Sequence, residues 1–205
     1  MPRSLHTVRR LVQLLTGLFL FGFAAAMMLK ASLGVDPWTV FAEGLHVTWG
    51  WGFGWIVVIS SGVVLLLWIP LRQIPGLGTV LNALLVGPSM EVGLALVDAP
   101  ELLVHKIVLF AAGLLMMGIA SGFYIGAGFG PGPRDGLMVG INARFGWPLW
   151  AARTTVEVIV LSIGWFLGGT VGVGTVIFAL MIGPLAQRAI KVYRIGPYSP
   201  KAIGT

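Results

Sequence analysis

The chain contains no cysteine, and only 10% of its 205 residues are charged. The missing thiols exclude disulfides, thiolate catalysis and cysteine-ligated metals, though they do not fix a compartment. The scarcity of charge excludes a water-soluble domain, because a chain this long cannot cover its surface with so few ionic groups. Histidine is sparse too: His6, His46 and His105 are too scattered for a histidine-rich metal centre. The glycines lack the lysine and the strand-to-helix context of a phosphate-binding loop. With no nucleophile–base pair in view, the sequence predicts no enzyme, no cofactor and no metal.

What is present is apolar: 57% of the residues are hydrophobic and the mean hydropathy is +0.95. Charge-poor segments fall at Leu11–Leu29, Trp51–Leu71, Gly76–Val97, Ile107–Ile125, Trp150–Leu167 and Gly174–Ile190. Each reaches or approaches the roughly 20 helical residues that cross a hydrocarbon layer. Strand barrels would instead need short alternating segments. The fold class expected is therefore an all-α membrane protein with six transmembrane helices, built as a single membrane domain over residues 1–205.

The formal charge of +6 belongs to topology, not to nucleic-acid recognition. With the N-terminus inside, Arg3, Arg9, Arg10, Arg72, Arg134, Arg144, Arg153, Arg188, Lys191, Arg194 and Lys201 lie on the cytoplasmic side. Only Lys30 and Lys106 lie outside. This bias places both termini in the cytoplasm. The basic cytoplasmic tail, 191–205, is expected to lie along anionic lipid headgroups.

The halves of the chain match without a gap at an offset of 96 residues, the spacing from Pro37 to Pro133. "GLGTVLNALLVGP" (Gly76–Pro88) overlies "GVGTVIFALMIGP" (Gly172–Pro184), and Gly34, Pro37 and Gly44 overlie Gly130, Pro133 and Gly140. So many glycine, proline and tryptophan matches at one spacing point to duplication, with repeats at about 9–98 and 105–194. Three spans per half force the second half to enter from the opposite face, a 3+3 inverted repeat of the kind many secondary transporters use.

Each half also carries a helix break. In "GVDPWTVFAEGLH", Asp36 is a natural N-cap, with Pro37 suited to the first turn; in "FGPGPRDGLMVGINARF", Gly132 is a weaker cap before Pro133. The segments that follow, about Pro37–His46 and Pro133–Phe145, are too short to span and read as broken or re-entrant helices. Ordinary loops on opposite faces are the alternative.

The candidate substrate-binding residues are Arg134, Asp135, Arg153, Glu157, Glu91 and Asn82. Arg134 beside a helix start can meet an anion, and Asp135 can balance Arg144 or Arg153. Arg153 and Glu157, four apart, share a helix face; Glu157 within a span must face protein or water. Glu91 needs a partner, for which Lys30 and Lys106 are available, and Gln13 and Asn82 can bridge helices by hydrogen bonds. Asp36, Thr39 and Glu43 form an expected outer polar cluster. Glycines every four residues, as at Gly118, Gly122 and Gly126, allow close helix contact. Trp38, Trp49, Trp51, Trp55, Trp147, Trp150 and Tyr193 fit interfacial anchoring. Met27, Met28, Met116, Met117, Met138 and Met181 are read as core filler.

The two breaks, each followed by a "GxGT" helix start and a "GP", resemble the YczE-like bacterial membrane proteins within the broader YitT/YyaS-like group. The motif residues are Gly34, Asp36, Pro37, Trp38, Gly130, Pro131, Gly132, Pro133, Arg134, Asp135 and Gly136, with Thr39 next to the first. The resemblance implies a multi-pass protein of the bacterial plasma membrane and brings no biochemical activity with it. The architecture suggests a small secondary transporter or lipid-facing permease, its substrate an unknown small solute weakly expected to be anionic. The alternative is a non-transporting partner that stabilises or regulates another enzyme or complex, as a homodimer or beside another membrane protein.

Overall fold

The computed structural model describes residues 3–195, with side chains from His6 onward. Most of the expected basic tail, including Lys201, lies outside the described residues. Among the described residues eight helices form: α1 (Arg3–Ala31), α2 (Pro37–Trp49), α3 (Phe53–Trp68), α4 (Leu77–Leu96), α5 (Leu103–Gly126), α6 (Pro133–Phe145), α7 (Leu149–Phe166) and α8 (Val173–Tyr193). Five of them, α1, α4, α5, α7 and α8, are long and apolar enough to cross a membrane. The pair α2–α3, bent by 117° at its break, makes a sixth if counted as one interrupted span. The chain is thus a multi-pass all-α membrane protein.

The expected span Trp51–Leu71 is shorter than its hydropathy suggests, because α3 covers 16 residues. Pro70 explains its end: proline has no amide to continue the ladder. The two short helices start and stop alike. Asp36 accepts from Trp38 N and Thr39 N, both at 3.2 Å, and from Thr39 Oγ1. Gly132 gives α6 no side-chain cap. Both helices end on a glycine in the left-handed region, Gly50 (φ 71°) and Gly146 (φ 72°), where a residue with a Cβ is disfavoured.

Four long helices stand side by side in the order α4, α1, α5, α8, and the α1–α5 pair has the broadest packing. Gly17 lies against the Tyr124 backbone, and Gly118 and Gly122 against Leu185 and Ala189 of α8, so the glycine stripe is a packing surface. Leu14, Leu18, Met28 and Met117 fill the centre with almost no exposure. Gln13 Nε2 ties three helices together by donating to Phe123 O at 2.9 Å and Tyr193 O at 2.7 Å.

Over this row lie the remaining helices, α2 on α7 and α3 on α6. The break of each half is pinned to the last helix of the other: Gly78 N donates to Phe129 O at 2.9 Å, and Gly174 N to Leu33 O at 2.7 Å. These bonds join equivalent residues of the 96-residue repeat. They hold the starts of α2 and α6 together in the middle of the molecule.

Candidate functional site

Where α2 and α6 begin, a cavity of about 530 Å³ opens between the halves. Asp36 and Trp38 line it from α2, Arg134 and Asp135 from α6, Asn82 from α4, and Arg153 with Glu157 from α7. Arg134 Nη1 lies 3.5 Å from Asp36 Oδ1, and its guanidinium sits 4.9 Å from the centre of the Trp38 ring. A cation over an indole face is attracted to the ring's negative face. Trp38 and Arg134 occupy equivalent positions of the repeat, so the two halves meet at these residues.

Tyr124 Oη donates to Asp135 Oδ2 at 2.7 Å, replacing the expected balance with Arg144 or Arg153. Position decides this: Asp135 lies in the first turn of α6, facing α5, where the helix end also favours a negative charge. Arg153 Nε instead pairs with Glu157 Oε1 at 3.0 Å, as the four-residue spacing predicts. Asn82 bridges no helices and keeps its amide free at the cavity wall. Ser61, buried to 7% exposure, lines the same space. Among the described residues, Trp38 Nε1 is the buried side-chain atom with no hydrogen-bond partner.

Glu91 does not belong to this site. Its Oε1 accepts from Gly54 N at 2.7 Å, so it caps the start of α3 from α4, and neither Lys30 nor Lys106 pairs with it. The outer cluster divides as well. Asp36 and Thr39 bond to each other, while Glu43 reaches Thr170, accepting from its N at 2.6 Å and Oγ1 at 2.8 Å. Trp38 is 8% exposed and belongs to a buried cluster with Trp68 and Leu137. It is therefore not an interfacial anchor. Met181, at 45% exposure, is no core filler either, whereas Met117 and Met138 are buried at the cavity.

The cavity exists because the halves differ in one helix. In the first half α3 packs on α4; in the second, α7 packs on α2 and α6 and scarcely touches α8. Two reciprocal exchanges account for this. Gly54 lies against Gly87 and Glu91, and a side chain there would strike Glu91. Its equivalent is Trp150, whose bulky side chain stands where that close contact would form. Gly183, the equivalent of Gly87, has open space within 4 Å of where a methyl group would project. At the other end, Gly164 lets α7 close on the backbone of α2 at Phe41. Its equivalent, Trp68, instead packs its ring on Gly136 of α6 while its Nε1 donates to Pro133 O at 3.0 Å. Overlaying the repeats exposes both glycine-for-tryptophan exchanges, although a search for charged residues passes over them.

Long apolar helices surrounding two short ones and a cavity between them fit a multi-pass α-helical membrane protein. Residues 8–191 match the family of unknown function DUF6198, and the chain belongs to that family. It is 34% identical over 187 residues to an uncharacterized protein of Haemophilus influenzae, covering 91% of this chain and 86% of that one. It is 30% identical over 169 residues to the uncharacterized membrane protein YczE of Bacillus subtilis, covering 82% and 79%. The uncharacterized protein YyaS of the same organism is 24% identical over 173 residues, covering 82% and 86%. No solved structure matches the chain.

Proposed function

We propose that the protein is a small secondary transporter or lipid-facing permease of the bacterial plasma membrane. Its site lies between two inverted halves of three crossings each, with both termini in the cytoplasm. The observation that carries this reading is the cavity at the joined starts of α2 and α6, lined by charged groups from α2, α6 and α7. Breaks entering from opposite faces meet, as Asp36 and Arg134 do at 3.5 Å, when both reach the middle of the layer. Irregular backbone at that depth requires protein or water around it, which the cavity supplies. A protein serving only as a stabilising partner would have no need of such a space.

The packing also suggests how the site changes sides. In this state α3 is closed on α4 and α7 is parted from α8. The related state parts α3 from α4 and brings α7 onto α8, with the central contact kept. Reconstituted protein should take up solutes, and Glu157→Gln should alter uptake while the protein stays folded. No uptake across a broad solute panel defeats the reading. Orientation has its own check: single cysteines at Ile74 and Val171, in equivalent connections, should react from opposite faces of the membrane. Reaction from one face would remove the inverted arrangement.

A further inference from the structure

We propose that the cavity binds an anionic single-chain amphiphile, with its oxyanion head at the start of α6 and its tail in the gap between α7 and α8. The proposal rests on the cavity assigned above to transport and names what fills it. Hydrogen-bonding capacity at the polar end is unbalanced toward donors. The α6 start has no side-chain cap and Pro133 has no N–H, which leaves the amides of the cavity-lining residues Arg134 and Asp135 without a capping side chain. Arg134 has five N–H donors, of which one reaches Asp36 at 3.5 Å. The Asn82 amide stands beside Gly132, its Nδ2 about 3.3 Å from where a methyl group there would lie. The Trp38 ring lines the same cavity and carries the Arg134 guanidinium 4.9 Å from its centre.

Each nearby carboxylate already holds a partner within the protein. Asp36 receives Trp38 N, Thr39 N, Thr39 Oγ1 and Arg134. Asp135 receives the Tyr124 hydroxyl, and Glu157 is paired with Arg153. A phosphate monoester or carboxylate head supplies acceptors where the protein offers donors.

The cavity wall between α7 and α8 is largely apolar, with Gln187 as its polar residue on α8, and it opens sideways. Leu149 and Trp150 of α7 face it together with Phe178, Ala179, Ile182 and Gly183 of α8. Both helices are membrane spans that scarcely touch, so the slot between them meets lipid tails. A small soluble anion would leave this wall unfilled, whereas an alkyl chain covers it.

The test uses the full-length protein in nanodiscs. Oleoyl lysophosphatidate and oleate are titrated against monooleoylglycerol, which lacks the charge, and glycerol 3-phosphate, which lacks the tail. At least one of the two anionic amphiphiles should bind tenfold or more tightly than either control, and which of them does so identifies the head. Arg134→Gln should erase the preference for charge. Gly183→Leu, which fills the slot away from the polar contacts, should weaken amphiphile binding about tenfold and keeps the test open if Arg134→Gln does not fold. Equal binding of monooleoylglycerol, equal binding of glycerol 3-phosphate, or indifference to Gly183→Leu would each overturn the proposal. Uptake of a soluble solute without amphiphile binding refutes this inference alone. Amphiphile binding without translocation in vesicles refutes the transport reading alone.

Discussion

If the glycine-for-tryptophan exchange keeps α7 off α8, transplanting the first half's clamp should close the gap. The double variant Trp150→Gly, Gln187→Glu reproduces at α7 the arrangement in which Glu91 accepts from Gly54 N at 2.7 Å. Trp150 is 72% exposed, so its removal sacrifices little packing. The new carboxylate would accept the amide of residue 150 at an uncapped helix start, because Pro148 gives α7 no side-chain cap. A charge-assisted hydrogen bond contributes ~1.5–3 kcal/mol. At about 1.4 kcal/mol per tenfold, the closed arrangement gains roughly ten- to a hundredfold in population. Because the chain has no cysteine, Val158→Cys and Leu180→Cys give one unambiguous spin-label pair across the gap. Electron–electron distance measurements should show a shift to shorter separations in the double variant. An unchanged distribution in folded protein would refute the account of the gap.

The same packing sets the scale of three simpler changes. Glu91→Ala removes the cap on α3 and should lower unfolding stability by ~1–3 kcal/mol; Glu91→Gln keeps an oxygen acceptor and should lose less, as thermal unfolding in detergent will show. Gly164→Leu forces a side chain into the α2 backbone at Phe41, a loss of ~1–3 kcal/mol by overpacking that should also increase protease access to the α7–α8 connection. Gln13→Leu deletes both carbonyl contacts that join α1 to α5 and α8. It should cost about 1–3 kcal/mol, measured by the same melt.

The local sequence signals were those whose physics acts over one helical turn. Asp36 followed by proline specifies a capped start, and the structure places that cap and its bonds where the residue order implies. Arg153 and Glu157 pair because four residues return a helix to the same face. Pairings across the fold did not follow from order. Asp135 meets Tyr124 and Glu91 meets Gly54 because helices far apart in the chain cross there. Neither bond needs a cation, whereas a charge-by-charge reading looks for one. Hydropathy also overran the end of α3, since Pro70 is neutral on an apolarity scale and disruptive on a hydrogen-bonding one.

Two identical halves would give two equivalent clefts; here the halves differ, and the cavity of about 530 Å³ lies along the second. At the centre the copies diverge where they touch, Trp38 offering a ring face and Arg134 the cation that lies over it. Two tryptophans there would leave the carboxylate of Asp36 without its cation, and two arginines would repel across the contact. The mixed pair holds the junction together and still leaves guanidinium donors facing the cavity. Further out, glycine and tryptophan change places between the copies at both ends of the third helix, so α3 leans on α4 while α7 leans on α2. The asymmetry is built into side-chain size at four positions, and it acts through helix packing without any change in the breaks themselves. The cavity therefore opens along the second half in this structure, where the glycine contact and the carboxylate that hold α3 on α4 have no counterpart.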